Sequence, residues 1–316
     1  MLMEIIRDIE KVRMLPQCAA TVGVFDGVHA GHQSVIKRLI SNARFAHRAS
    51  MVITFDRQPR QLFNPDFRPQ LLTTQAEKER EMERLGVDFL VVLSFTKEIA
   101  SLSARDFMAQ ILKEKLNVKD LQVGYDNRFG RDRTEGFDDY VRYGRELGIN
   151  VYQGIGVSFR DCPVSVCSSS IRNLLADDGD VETAAVLLER PYQLSGKVMP
   201  GEHIGHQLGF PTANVEPDDP FKLIPASGVY AVAVQMCSGG EALPAMMNIG
   251  TRPTFDGQGR TLEVNILDYD GDLYGQTITI AFVARLREER RFDSPEALVR
   301  QLEEDRERAL KVFEEE

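Results

Sequence analysis

Cysteine, positive charge and long apolar runs are all in short supply in this chain. The four cysteines, Cys18, Cys162, Cys167 and Cys237, form no CxxC pair and have no histidine nearby at zinc-ligand spacing. That argues against a disulfide framework or a zinc site, so they read as reduced thiols. No apolar run approaches the roughly 20 residues that span a bilayer. The opening residues, MLMEIIRDIEKVRMLPQCAA, mix charges without a basic stretch leading into an apolar core, so a cytoplasmic protein without a membrane partner is expected. With 38 Lys and Arg against 48 Asp and Glu, the net charge is −10. This excludes a broad nucleic-acid footprint, though small anions remain available to local basic groups. There is no internal repeat and no low-complexity tract.

What is present is a globular composition, 43% hydrophobic and 27% charged over 316 residues, long enough for two domains with separate cores. Between residues 18 and 155 the short apolar runs TVGVF, MVITF, FLVVLSF, LQVG and INVYQGI alternate with amphipathic segments. Thr74 with Glu77, and Ser103 with Asp106, stand where helix caps belong. That order predicts a parallel, doubly wound sheet. From about residue 184 the texture becomes SGVYAVAVQM, ALPAMMNIG, TLEVNILDY and QTITIAFVARL between Gly, Pro and Asp turns, which predicts a small antiparallel barrel or sandwich. A terminal helix follows, with Ser294 as its cap, Pro295 in its first turn and Leu298, Leu302 and Leu310 as an apolar stripe. LLADDGDVETAAVLLERPY reads as a helical connector. The domains are taken as 1–184 and 185–316.

The stretch TVGVFDGVHAGHQSVI (residues 21–36) reads as strand through Phe25, turn, then helix. Gly23, Gly27 and Gly31 let the backbone bend and approach a ligand, and the new helix aims free N–H groups at the turn, which makes an anion site. His29 and His32 add donors there. The spacing HxGH is neither a P-loop nor GxGxxG. Taken alone, the two histidines could equally cap the helix or satisfy core carbonyls.

Wider motifs bear on that choice. GVFDGVHAGH, TFDRQPRQLF, VGYDNRFGRDRTEG and SSSIRNLLADDGD, in this order, resemble the nucleotidyltransferase domain of bacterial bifunctional riboflavin kinase/FAD synthetases. LGFPTANV, SGVYAV, NIGTRPTF, LEVNILDYDGDLYG and LREERRFDS resemble the kinase domain of the same family, so the resemblance covers nearly the whole chain. It implies a Rossmann-like nucleotidyltransferase domain followed by a six-stranded barrel with a terminal helix. It also implies a cytoplasmic enzyme that phosphorylates riboflavin to FMN and adenylylates FMN to FAD, with Mg2+ and ATP. A weak homo-oligomer is compatible with it.

By motif position the resemblance assigns His29 and His32 to the ATP phosphates, with Gly23, Asp26 and Gly27 shaping the loop. Ser168, Ser169 and Arg172 fall to the triphosphate tail, and Asp126, Arg128 and Phe129 to the nucleotide or flavin pocket. In the second domain Thr212 and Asn214 go to ATP and magnesium, and Glu263 is the base that accepts the riboflavin 5′-hydroxyl proton. Arg287, Glu289 and Phe292 go to the flavin, with Arg287 also in reach of phosphate. The chain departs from the family pattern at Gln58, Cys167 and Asn127, which stand where His, Ser and Phe are usual. His206 stands where Arg is usual and Asn265 where His is frequent. Two other readings stay open here. A nucleotidyltransferase for another phosphorylated metabolite would leave the second-domain motifs unexplained. A flavin-binding regulator with decayed catalysis would bind flavin without turnover.

Overall fold

A computed structural model of the chain describes residues 2–12, 14–125, 127–154, 156–157, 164–200, 210–236, 239–254 and 257–314, with backbone alone at 252–254 and 257–259. Its contacts divide into two compact units, Met1–Ser168 and Ser169–Glu316.

The first unit runs β1 (Glu4–Ile6), β2 (Cys18–Val22), α1 (Ala30–Phe45), β3 (Ala49–Phe55), α2 (Pro59–Phe63), α3 (Gln75–Leu85), β4 (Phe89–Leu93) and α4 (Lys97–Ser101). It continues with α5 (Ala104–Asp106, extended as a π-helix over Phe107–Lys115), β5 (Val118–Val123), α6 (Phe137–Leu147) and β6 (Asn150–Gln153). The six strands lie in the order β1-β4-β3-β2-β5-β6, and every neighbouring pair is parallel. Consecutive strand residues serve opposite faces, as the pleat requires. Cys18, Ala20 and Val22 pack with Phe107, Met108, Leu112 and Tyr140 on one side. Ala19, Val52 and Leu90 pack with Ile36, Leu39, Ile40 and Met82 on the other. Both faces are therefore covered, which is why the strands read as nearly continuous apolar runs. Burial pushes the Cys18 thiol up to about 12, in keeping with a reduced core residue.

The expected caps are present. Thr74 Oγ1 accepts from Glu77 N at 3.2 Å while Glu77 Oε2 accepts from Thr74 N at 2.9 Å, and Ser103 Oγ accepts from Asp106 N at 3.1 Å. Two details differ from expectation. The three-residue β1 was too short to show a period, and β2 ends at Val22 rather than Phe25, because Phe25 turns to φ 51°.

The second unit carries α7 (Ser168–Asn173, its first residue still in the first unit), a π-turn over Leu174–Asp178 and α8 (Val181–Leu188). The strands β7 (Tyr192–Met199), β8 (Ala213–Pro217), β9 (Gly228–Met236), β10 (Leu243–Thr254), β11 (Gly257–Ile266) and β12 (Thr277–Arg287) come next, then α9 (Pro295–Glu314). The strands close a barrel in the order β10-β11-β8-β7-β12-β9, every pair antiparallel. Closure removes the exposed edges of an open sheet. The connector helices pack on this barrel: Arg285 donates to Asp178 O and Ser227 O, both at 2.8 Å, and its backbone N donates to Glu182 Oε1 at 3.1 Å.

Ser294 caps α9 as expected, its Oγ accepting from Ala297 N at 3.2 Å. The buried line of that helix is different: Leu298, Leu302 and Leu310 are half-buried, whereas Gln301, Asp305 and Ala309 are buried. The polar pair is inside because Arg287 binds Asp305 through Nε (2.9 and 3.1 Å) and a terminal nitrogen (2.8 Å), and Gln301 Nε2 adds a bond to Asp305 at 2.8 Å. Removing one partner of such a pair strands the other charge. Asp305→Leu should therefore lower the stability of the second unit by about 3 kcal/mol, seen as an earlier thermal transition, and Arg287→Met in the same chain should recover most of it.

Candidate active sites

In a doubly wound sheet ligands bind beyond the carboxyl ends of the strands, where the strand order reverses. Here the chain steps from β2 to β3 and β4 on one side, then returns to place β5 and β6 on the other. The reversal lies between β2 and β5, whose following loops are 23–29 and 124–130. These are the HxGH loop and the GYDNRFG loop.

The first loop is held in a costly conformation. Phe25 (φ 51°), Gly27 (φ 86°) and Val28 (φ 43°) all lie in the left-handed region, easy for Gly27 but costing about 1–3 kcal/mol for each of the others. Buried Asp26 holds it in place: its Oδ1 accepts from Leu72 N and Thr73 N, both at 3.0 Å. Gly27 N donates to Thr73 Oγ1 at 3.0 Å, and Gln33 Nε2 to Val28 O at 3.1 Å. This Asp26 carboxylate oxygen is thus committed to the backbone of the opposing segment.

His29 is the N-cap of α1, its Nδ1 accepting from His32 N at 3.4 Å. The two imidazoles stack with centroids 3.6 Å apart, and Phe25 meets His32 edge-on at 5.2 Å. His32 Nδ1 is buried and has no hydrogen-bond partner. Burial first, then the neighbouring charges of His29 and Lys78, push the His32 imidazole well below the ordinary histidine range. Lys78, which the sequence reading missed, is buried beneath the loop. Its Nζ reaches Thr54 Oγ1 at 3.3 Å, and Thr54 Oγ1 donates to Val24 O at 3.1 Å. Burial lowers the Lys78 ammonium's pKa against the opposing pull of Asp26 and Glu79. Nothing in KEREMERLG distinguishes this lysine from a solvated one. Ser168 Oγ donates to Asp26 O at 2.9 Å, so the start of the SSSIR motif meets the HxGH loop, and Ser169 and Arg172 follow on α7.

Across the switch point, Val123, Gly124, Tyr125, Asn127, Arg128, Gly136, Phe137 and Gln153 line a cleft of about 340 Å³. Arg128 is exposed at it, whereas Asp126 lies outside the described residues. Asn127 Nδ2 donates to Val22 O, joining the end of β2 to the loop after β5. Phe129 is turned into the core: its ring stacks on Tyr140 at 4.3 Å and tilts against Phe107 at 5.7 Å, and Tyr140 Oη bonds both its backbone N and O. The ring is thus held by Tyr140 and Phe107 at the edge of the loop that the resemblance gives to the nucleotide or flavin pocket.

In the barrel, Leu262, Val264 and Ile266 are buried inside and Glu263 lies on the outer face, half-buried. Glu263 pairs with Asn214 on β8 and with Asn248 on β10, so three polar side chains leave the same face side by side. Thr212 stands two residues before Asn214, just ahead of β8. Gly250, on β10, has Glu289 Oε1, Thr261 Oγ1 and Asn248 Nδ2 crowded where a Cβ would be, at 2.9, 3.0 and 3.4 Å. Only glycine leaves that room. Asn248 and Thr261 were not foreseen, although NIGTRPTF alternates Asn248 with Gly250 on one strand face. Glu289 is thereby brought to the cluster, whereas Arg287 is not free for phosphate: Asp305 takes two of its nitrogens, and Nη1 donates to Glu288 O at 3.0 Å. Phe292 has Arg290 and Arg287 over its ring at 4.9 and 5.6 Å. His206 lies outside the described residues.

Comparison with known proteins follows this two-part geometry. The FAD synthetase family model matches residues 11–168 and the riboflavin kinase model residues 188–313. The bifunctional riboflavin kinase/FMN adenylyltransferase of Pseudomonas fluorescens is 40% identical over 298 residues, 94% of this chain and 93% of its own length. The chain belongs to the bifunctional riboflavin kinase/FMN adenylyltransferase family. The Escherichia coli K12 relative of the same name is 38% identical over 98% of both chains. A crystal structure described as a macrolide-efflux protein from Streptococcus pneumoniae shares the fold at a TM-score of 0.87 and 32% identity, over 97% of this chain and 98% of that one. Among the described residues here, no helix is long and apolar enough to cross a membrane.

His32 yields a pH prediction for this family member. Its folded pKa lies below the ordinary 6.5, so the unfolded chain takes up the proton first and stability is lost as pH falls from about 6.5 through the folded value. His32→Gln should flatten that slope in denaturant titrations between neutral and acid pH; an unchanged slope would contradict the assignment.

Proposed function

We propose that the first unit's loop at the switch point holds the phosphates of ATP while the phosphate of FMN attacks the α-phosphorus, giving FAD and pyrophosphate. In the second, the Glu263 row phosphorylates riboflavin. The functional division is taken at 1–184 and 185–316, which counts the SSSIR motif with the first reaction. The observation that supports this most is that the two sets of family motifs gather into two separate polar clusters, one on each sheet.

The first reaction needs no covalent nucleophile. It needs two anions held in line and donors fixed where charge develops on phosphorus and the leaving pyrophosphate. His29, His32 and the first turn of α1 supply those donors, and buried Lys78 adds fixed positive charge beneath them. A neutral His32 retains one N–H to give a phosphate oxygen. Ser168 joins the loop directly, while the roles of Ser169 and Arg172 on the triphosphate tail rest on motif position. Arg128 at the mouth of the cleft suits a phosphate or ribityl chain of the flavin.

In the barrel, Glu263 accepts the 5′-hydroxyl proton as the γ-phosphoryl of ATP is transferred. Thr212 and Asn214 offer a hydroxyl and a carboxamide oxygen, hard donors of the kind magnesium prefers, and would hold it together with the nucleotide phosphates. The residues therefore fit the metal, which when bound with ATP neutralises phosphate charge. Asn248, Thr261 and Glu289 complete the polar face around Gly250.

Glu263→Ala should cut FMN formation at least ~100-fold and leave FAD formation from supplied FMN intact, and His32→Ala should do the reverse. Both products are read by chromatography. Loss of both activities in either variant would overturn the division of labour.

A further inference from the structure

Asn265 lies two residues beyond Glu263 on the same strand face, yet it is only 9% exposed. Its Nδ2 donates to Pro211 O at 2.7 Å. The β8–β11 ladder pairs Glu263 with Asn214 and Val264 with Ala213, so Asn265 stands level with Thr212, where the strand pairing has stopped. Pro211 has no N–H to offer a neighbouring strand. The segment that brings Thr212 to the cluster is therefore tied to β11 by a side chain in place of a ladder rung. A buried carboxamide is costly unless bonded, and Asn265 is buried while Pro211 is exposed, so it is the Asn265 amide that requires this bond.

We propose that Asn265 is a positioning residue of the kinase site, holding the Pro211 carbonyl so that Thr212 stays in line with Asn214 and Glu263. The proposal rests on the reading of Thr212 and Asn214 as side chains for the magnesium–nucleotide complex. It assigns Asn265 no contact with substrate. Its action is on one ligand: loosening Thr212 weakens the hold on the nucleotide and metal, while the flavin and the Glu263 base stay as they are.

The test compares Asn265→Leu, which keeps the volume and loses the donor, with Asn265→His, whose ring N–H can replace it. Binding of Mg–ADP to the full chain is measured by calorimetry and riboflavin binding by quenching of flavin fluorescence, alongside kinetics of both reactions. For Asn265→Leu we expect Mg–ADP affinity to fall and the KM for Mg–ATP to rise about tenfold. The half-saturating Mg2+ concentration should rise with them, and Thr212 and Ala213 amides should exchange faster with solvent. Riboflavin affinity and adenylyl transfer from FMN should stay within twofold, and Asn265→His should recover most of the loss. Equal losses of riboflavin and Mg–ADP affinity, or an unchanged Mg–ADP affinity with faster amide exchange, would overturn the proposal and leave a purely structural bond. Thr212→Ala separates the two levels: if it leaves Mg–ADP binding untouched, the underlying reading of Thr212 fails. If it weakens binding while Asn265→Leu does not, only the positioning role fails. Should Asn265→Leu not fold, the same comparison is made with Asn265→Ser, which shortens the reach to Pro211.

Discussion

A backbone N–H or C=O without a partner in a helix or sheet needs another one, and at both candidate sites of this chain a side chain supplies it. Where β2 stops, the Asp26 carboxylate takes the amides of Leu72 and Thr73, and the Asn127 carboxamide takes the carbonyl of Val22. Where β8 begins, Asn265 takes the carbonyl of Pro211. These bonds convert strand ends, which would otherwise splay, into fixed platforms. Phosphate chemistry depends on that fixity, because donors that need not reorganise stabilise developing charge more than mobile ones do.

The constraint also explains why strain is tolerated in the HxGH loop. Left-handed backbone at Phe25 and Val28 persists only where the surroundings over-determine it, and Asp26, Thr73 and Gln33 provide that from three sides. The result presents the first turn of α1, a stacked pair of imidazoles and a buried lysine to one point. In the barrel the corresponding fixed frame is the register itself, which lines up Asn214, Glu263 and Asn248 across three strands.

Much of this was legible in the sequence, for reasons that differ by residue. His29 and His32 sit between a strand and a helix where they could equally be caps, and Glu263 lies opposite Leu262 and Val264 by strand alternation, so it was the family motifs around them that singled these residues out. The parallel sheet followed from period and turn chemistry, which left barrel or sandwich open for the second half, and the family resemblance implied the barrel. What was not legible depends on which charged residues are buried. Lys78 in KEREMERLG and Asp305 in QLEEDRERAL look like members of solvated helical faces, yet one lies buried under the HxGH loop and the other neutralises Arg287. The resemblance gives Arg287 and Phe292 to the flavin, and neither that second pairing nor the cations over Phe292 could be read beside it. The stacking of Phe129 on Tyr140 was hidden for a similar reason, since it joins positions on a loop and on α6. The departures at Asn127 and Asn265 gave no sign in sequence that each would tie down a neighbouring carbonyl.

The account's central claim is that one chain carries two separate phosphate-transfer sites in series. The most direct measurement is a chromatographic time course of the purified protein supplied with Mg–ATP and either riboflavin or FMN. The account predicts FMN followed by FAD from riboflavin, and FAD with stoichiometric pyrophosphate from FMN. Flavin bound without either product, or FAD formed only from FMN, would contradict it.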